Sequence, residues 1–126
     1  MARVLIAWEL GEAFCHFARG LRLAQGLVAR GHVAALALKG LRLPAGQRPT
    51  PITVLPAPLT PQARAGSSPS VHCANVLRVS GFADVRDVAR LNAWQGIFAL
   101  ARPDVLVADH APTALLAACL AESPHL

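Results

Sequence analysis

The chain has 126 residues, enough for one folding unit that buries roughly two-thirds of its extended surface without disulfide or metal staples. Apolar residues make up 54% and charged residues 15%, which excludes a disordered chain, a collagen-like repeat and a polar coiled coil. Net charge is +5, but the 12 basic residues are scattered singly and aromatics reach only 5%, so the clustered basic patch with stacking rings that nucleic acid requires is missing.

Residues 3–8 form a continuous apolar run with β-branched members, the pattern of a strand covered on both faces in a parallel sheet. Gly11 opens a loop. Over residues 16–30 the period lengthens, with Phe17, Leu21, Ala24 and Val28 on one helical stripe that Leu23 and Leu27 widen, and Gly31 as the stop. Residues 33–38 form a second buried-type strand, so the first unit reads strand–helix–strand. Seven of the 10 prolines then fall between Pro44 and Pro69, broken only by a strand-like run at 52–55. Helical signals return at 70–79. Asp84 with Asp87 three residues on is a variant capping box for a longer helix, whose apolar face is Val88, Leu91, Trp94, Phe98 and Ala101. Pro103 ends that helix, residues 105–108 form another strand ending at Asp109, and Pro112 suits the first turn of a final helix through Leu120. The alternation predicts an α/β fold, a Rossmann-like three-layer sandwich with a mostly parallel sheet.

Cys15, Cys73 and Cys119 cannot all pair internally and lie in no metal-binding spacing, which points to free thiols in a reducing compartment. No apolar run approaches the length of a membrane span, and no signal peptide opens the chain. A cytoplasmic location is the expectation. His16, His72, His110 and His125 have no tight spacing, and none is read as a metal ligand. The loop after the first strand has one glycine where a dinucleotide fingerprint needs three, so no bound cofactor is expected.

Ligands of open α/β sheets bind beyond the carboxyl ends of the strands. Two such ends carry polar residues: Glu9 and Glu12, then His16, after the first strand, and Asp109 with His110 after the last. If those strands are neighbours, His16 and Asp109 converge. A carboxylate on one imidazole nitrogen fixes the tautomer and leaves the other nitrogen to take a proton from an alcohol. A histidine at a strand–helix junction also serves as a plain cap or hydrogen-bonding residue, and the spacing alone does not choose.

The stretch Arg3-Val4-Leu5-Ile6-Ala7-Trp8-Glu9-Leu10-Gly11, then Cys15-His16-Phe17-Ala18-Arg19 and Ala29-Arg30-Gly31-His32, resembles the N-terminal, acceptor-side domain of GT-B fold glycosyltransferases. The likeness is to the bacterial branch related to UDP-glucuronosyl and macrolide glycosyltransferases. Arg102-Pro103-Asp104 with the strand that follows to Asp109 resembles the family's R-P-D-hydrophobic-D segment. The likeness covers nearly the whole chain and is weakest through the proline-rich middle.

The resemblance implies that His16 is the general base for an acceptor hydroxyl and that Asp109 orients it. It places Trp8, Glu9, Phe14 and His110 around the acceptor. The partners it implies are a small-molecule or lipid-linked acceptor and a UDP- or TDP-linked nucleotide-sugar as co-substrate, with no nucleic acid. In this family the donor is held mainly by a C-terminal domain that nothing in this sequence resembles. The chain is therefore expected to be a partial first domain, residues 1–126, lacking its last strands and its donor-binding half, as a truncation or as one subunit of a split enzyme. Two further expectations follow: an acceptor-presenting scaffold subunit without catalysis, or a fragment with no independent function. Where the family carries Gly before the helix-start His, this chain carries Cys15, whose side chain is expected to push the loop off its tight path or narrow the acceptor pocket.

Overall fold

The apolar runs become four parallel strands in a computed structural model that describes residues 1–11, 14–40, 51–58 and 87–121. In chain order the described elements are β1 (Arg3–Trp8), α1 (Phe14–Ala29), β2 (Val33–Leu38), β3 (Thr53–Pro56), α2 (Asp87–Ala101), β4 (Val105–Asp109) and α3 (Pro112–Leu120). The sheet order is β3-β2-β1-β4, so β1 is flanked by β2 and β4 and the order reverses between β1 and β4. The fold is α/β and Rossmann-like, with an all-parallel sheet. The expected helix at 70–79 and the Asp84–Asp87 capping side chains lie outside the described residues.

Alternation along β1 explains the layers, because successive side chains on a strand point to opposite faces. Val4, Ile6 and Trp8 join Leu36 and Leu38 of β2 under Phe17 and Ala24 of α1. Leu5 and Ala7 join Ala37 under Trp94 of α2 and Ala114 and Ala117 of α3. Among the described residues one helix thus covers one face and two cover the other, a three-layer arrangement. Both faces of the central strands are buried, which is why β1 reads as unbroken apolar sequence instead of alternating. Fully burying a leucine such as Leu5 or Leu36 contributes about 1.5–3 kcal/mol.

Each turn that shapes the sheet has a local cause. α1 ends with Gly31 at φ +81°, its amide on the Val28 carbonyl at 2.9 Å and the His32 amide on Leu27 at 3.0 Å, the paired bonds of a Schellman stop. α2 ends in Arg102 at φ +45°, whose amide bonds the Phe98 carbonyl at 2.7 Å before Pro103 blocks continuation. Asp104 then accepts the Arg3 amide at 2.7 Å and returns its own amide to the Arg3 carbonyl at 2.8 Å. His32 accepts the Ala2 amide at 3.1 Å. Asp104 and His32 therefore pin the amino-terminal edge of the sheet.

The face of α2 differs from the expected stripe. Trp94 is fully buried and Leu91, Phe98 and Ala101 pack on the core, as does Ile97, but Val88 is 60% exposed. Six residues before Trp94 is about 120° round a helix, so a face centred on the tryptophan leaves Val88 outside. Among the described residues no helix is long and apolar enough to cross a membrane. Cys15 and Cys119 are free and exposed.

Candidate active site

Register brings the two polar strand ends to one level. Trp8, the last residue of β1, pairs with Asp109, the last of β4. α1 starts at Phe14, which puts His16 in its first turn, above that same edge. His16 Nδ1 lies 2.9 Å from Asp109 Oδ2, with the two side chains 11% and 19% exposed. The site sits at the carboxyl ends of β1 and β4, where the strand order reverses, the place at which open α/β sheets bind ligands.

An ionised carboxylate only accepts, so toward an ionised Asp109 it is Nδ1–H that donates, and in the neutral imidazole of that tautomer Nε2 keeps its lone pair. Two rings fix the imidazole plane. Trp8 stacks on His16 with centroids 5.5 Å apart and planes at 17°. The His110 ring lies at 4.8 Å, tilted by 48°. The Trp8 indole donates to the Leu10 carbonyl at 2.6 Å and so is itself held. An imidazolium formed at His16 would lie over the indole face, an attraction of about 0.5–2 kcal/mol according to how far it is desolvated. His110 has φ +51°, a strained setting for a non-glycine residue, and its carbonyl accepts the Leu10 amide at 3.0 Å. That bond ties the turn after β4 to the loop after β1.

Gly11 closes the site from the loop side. Its φ is +93°, and a Cβ there would stand 3.2 Å from His16 Nε2 and 3.6 Å from Cδ2. Gly11→Ala therefore meets both a backbone penalty of about 1–2 kcal/mol and a methyl pressed against the free nitrogen. The expected outcome is a loss of that order in chemical denaturation, together with altered ¹⁵N shifts of the His16 ring. An unchanged ring spectrum would show that Gly11 does not shape the site.

Of the residues read from sequence as acceptor contacts, Trp8 and His110 flank His16. Phe14 is 57% exposed on the first turn of α1, its ring 5.3 Å from Phe17. Glu9 is placed differently. It is fully buried, accepting the Trp94 indole N–H at 2.6 Å and the Thr113 and Ala114 amides at 2.8 and 3.3 Å. A carboxylate holding the amino terminus of α3 is turned inward and offers nothing to an acceptor, so Glu9 supports the site from below. Cys15 lies within the first turn of α1, in helical backbone that any residue adopts, and its thiol is exposed.

Two residues of the site carried no role in the sequence reading. Gly11 was read only as a loop opener, although its contact is with His16. Arg19 counts in the sequence only as one of the scattered basic residues, yet its Nη1 reaches Asp109 Oδ2 at 3.3 Å and Oδ1 at 3.4 Å. The available signal was spacing: Arg19 is three residues after His16, on the same helical face. No family model, curated protein or solved structure matches the chain.

Proposed function

We propose that this chain is the acceptor-side portion of an inverting glycosyltransferase. The single observation that carries the proposal is the His16–Asp109 hydrogen bond at the strand-order reversal, reached by residues that also carry the family resemblance. In this reading an acceptor hydroxyl hydrogen-bonds to His16 Nε2 at about 2.6–3.2 Å. The oxygen attacks the anomeric carbon of a nucleotide-sugar as its proton passes to Nε2, and the nucleoside diphosphate leaves from the opposite face. Asp109 stabilises the imidazolium through Nδ1–H. Trp8, Phe14 and His110 border the acceptor, a small molecule or a lipid-linked one. The donor is held by a second domain or partner subunit, and the free thiols suit a reducing, cytoplasmic setting.

Positioning two substrates supplies much of the rate of a transfer reaction. Residues 1–126 alone are therefore expected to show negligible turnover of UDP-glucose with hydroxyl acceptors. Joined to the donor-binding domain of a GT-B glycosyltransferase, the chain is expected to release nucleoside diphosphate in step with glycoside formation. Transfer at ordinary enzymatic rates by the isolated chain would refute the division of labour. Failure of both forms, with no acceptor shifting the His16 resonances, would refute the function.

A further inference from the structure

The Asp109 carboxylate has a second cationic partner, on the helix that carries His16. Arg19 Nη1 is shared between the two oxygens at 3.3 and 3.4 Å, while His16 Nδ1 takes only Oδ2, at 2.9 Å. The Arg19 side chain is 66% exposed, against 19% for Asp109. Its contribution to stability is accordingly small, because an exposed ion pair is screened and must immobilise a long side chain. Its geometric consequence is larger. A carboxylate held by one hydrogen bond can rotate about its terminal torsion, which is broad and roughly twofold. A cation bridging both oxygens resists that rotation.

We propose that Arg19 is a positioning residue for the dyad, holding the Asp109 carboxylate in the one rotation that keeps Oδ2 on His16 Nδ1 and Nε2 unprotonated toward Gly11. Among the described residues, other charged or titratable groups near this edge include His110, after β4, and Lys39, after β2, whose Nζ donates to the Gly11 carbonyl at 3.3 Å. Neither has the arginine's reach across both Asp109 oxygens. The inference rests on the dyad described above but not on sugar transfer, so its test reads the imidazole directly.

The test is ¹⁵N and ¹H spectroscopy of the histidine rings in the full chain, comparing the unsubstituted protein with Arg19→Gln, Arg19→Lys and Asp109→Asn. The unsubstituted chain is expected to show His16 as the Nδ1–H tautomer with a slowly exchanging ring proton. Arg19→Gln, which keeps hydrogen-bonding capacity and loses the charge, is expected to speed exchange of that proton about two- to fivefold, the range of an exposed ion pair. Arg19→Lys restores the charge without the planar fork and is expected to recover part of the protection. Asp109→Asn removes the carboxylate and is expected to abolish the Nδ1–H signature. Exchange and tautomer unchanged in Arg19→Gln, with Asp109→Asn behaving as stated, would reduce Arg19 to a surface ion pair and overturn the proposal. Absence of the Nδ1–H signature from the unsubstituted chain would remove the dyad, and Arg19's role with it, whatever activity the protein has.

Discussion

Replacing His16 by alanine is expected to lower sugar transfer by about 10²–10⁴-fold in the chain joined to a donor-binding domain, the range set by loss of a positioned general base. The fold should survive, because His16 lies at the sheet edge and not in either core layer. Asp109→Asn is expected to fall comparably for a different reason. A carboxamide offers N–H toward Nδ1, which favours the opposite tautomer and places the ring proton on the nitrogen that must be empty. Since the two residues act as a unit, the double variant should fall little further than either single one. The measurement is glycoside formed and nucleoside diphosphate released under saturating donor. Near-normal transfer by His16→Ala, in a protein of unchanged circular dichroism, would take His16 out of the mechanism and favour a role in presenting the acceptor.

The dyad was legible because it depends on two coarse features. Both strands are apolar on both faces, so their limits are plain in the sequence, and a polar residue just past each limit marks the carboxyl edge. The remaining requirement, adjacency of β1 and β4, was a condition that only the assembled sheet meets, with its order β3-β2-β1-β4. What the sequence did not disclose is direction. Glu9 and Asp109 both follow a buried strand, yet Asp109 turns up to His16 while Glu9 turns down to Trp94 and Thr113, partners 85 and 104 positions away. Only the assembled tertiary structure distinguishes them. There was nonetheless a negative signal. α3 starts with Ala111 at its cap and Pro112 behind it, and no side chain of its own takes the first amides. A helix start without a Ser, Thr, Asp or Asn needs an acceptor from elsewhere.

The apolar excess of the composition is also resolved in part. Some of it fills the double-faced sheet, but α3 exposes Leu115, Leu116 and Leu120 at 45%, 51% and 57%. A helix apolar on all sides is characteristic of one covered on all sides. Its buried face is made of Ala114, Ala117 and Ala118, small residues that let α3 lie close to α2 and the sheet. The larger side chains face outward. Periodicity could not assign that face, because leucine and alanine both count as apolar while only their sizes distinguish the two sides.

Glu9 carries the largest expected effect on stability. Its carboxylate occupies the amino terminus of α3, takes the amides of Thr113 and Ala114, and also receives the indole N–H of Trp94, the largest fully buried side chain. It therefore joins the end of β1 to both helices of one layer. The positive end of the α3 macrodipole adds to the attraction. Glu9→Ala would leave three N–H groups without this acceptor, at about 1–3 kcal/mol for each that stays buried and unmatched. Water entering the vacated space offsets part of that, so the expected loss is about 3–5 kcal/mol, a large share of the roughly 5–15 kcal/mol that a domain possesses. Glu9→Gln keeps one acceptor oxygen but turns an NH₂ toward other donors, and should fall between alanine and glutamate. Denaturant midpoints at constant slope give the three stabilities directly. The same variants should disturb the dyad, because the Glu9 and Leu10 amides bind the carbonyl of His110, next to Asp109. A Glu9→Ala protein within about 1 kcal/mol of the parent, with its His16 resonances in place, would mean that neither the α3 amides nor the site depends on this carboxylate.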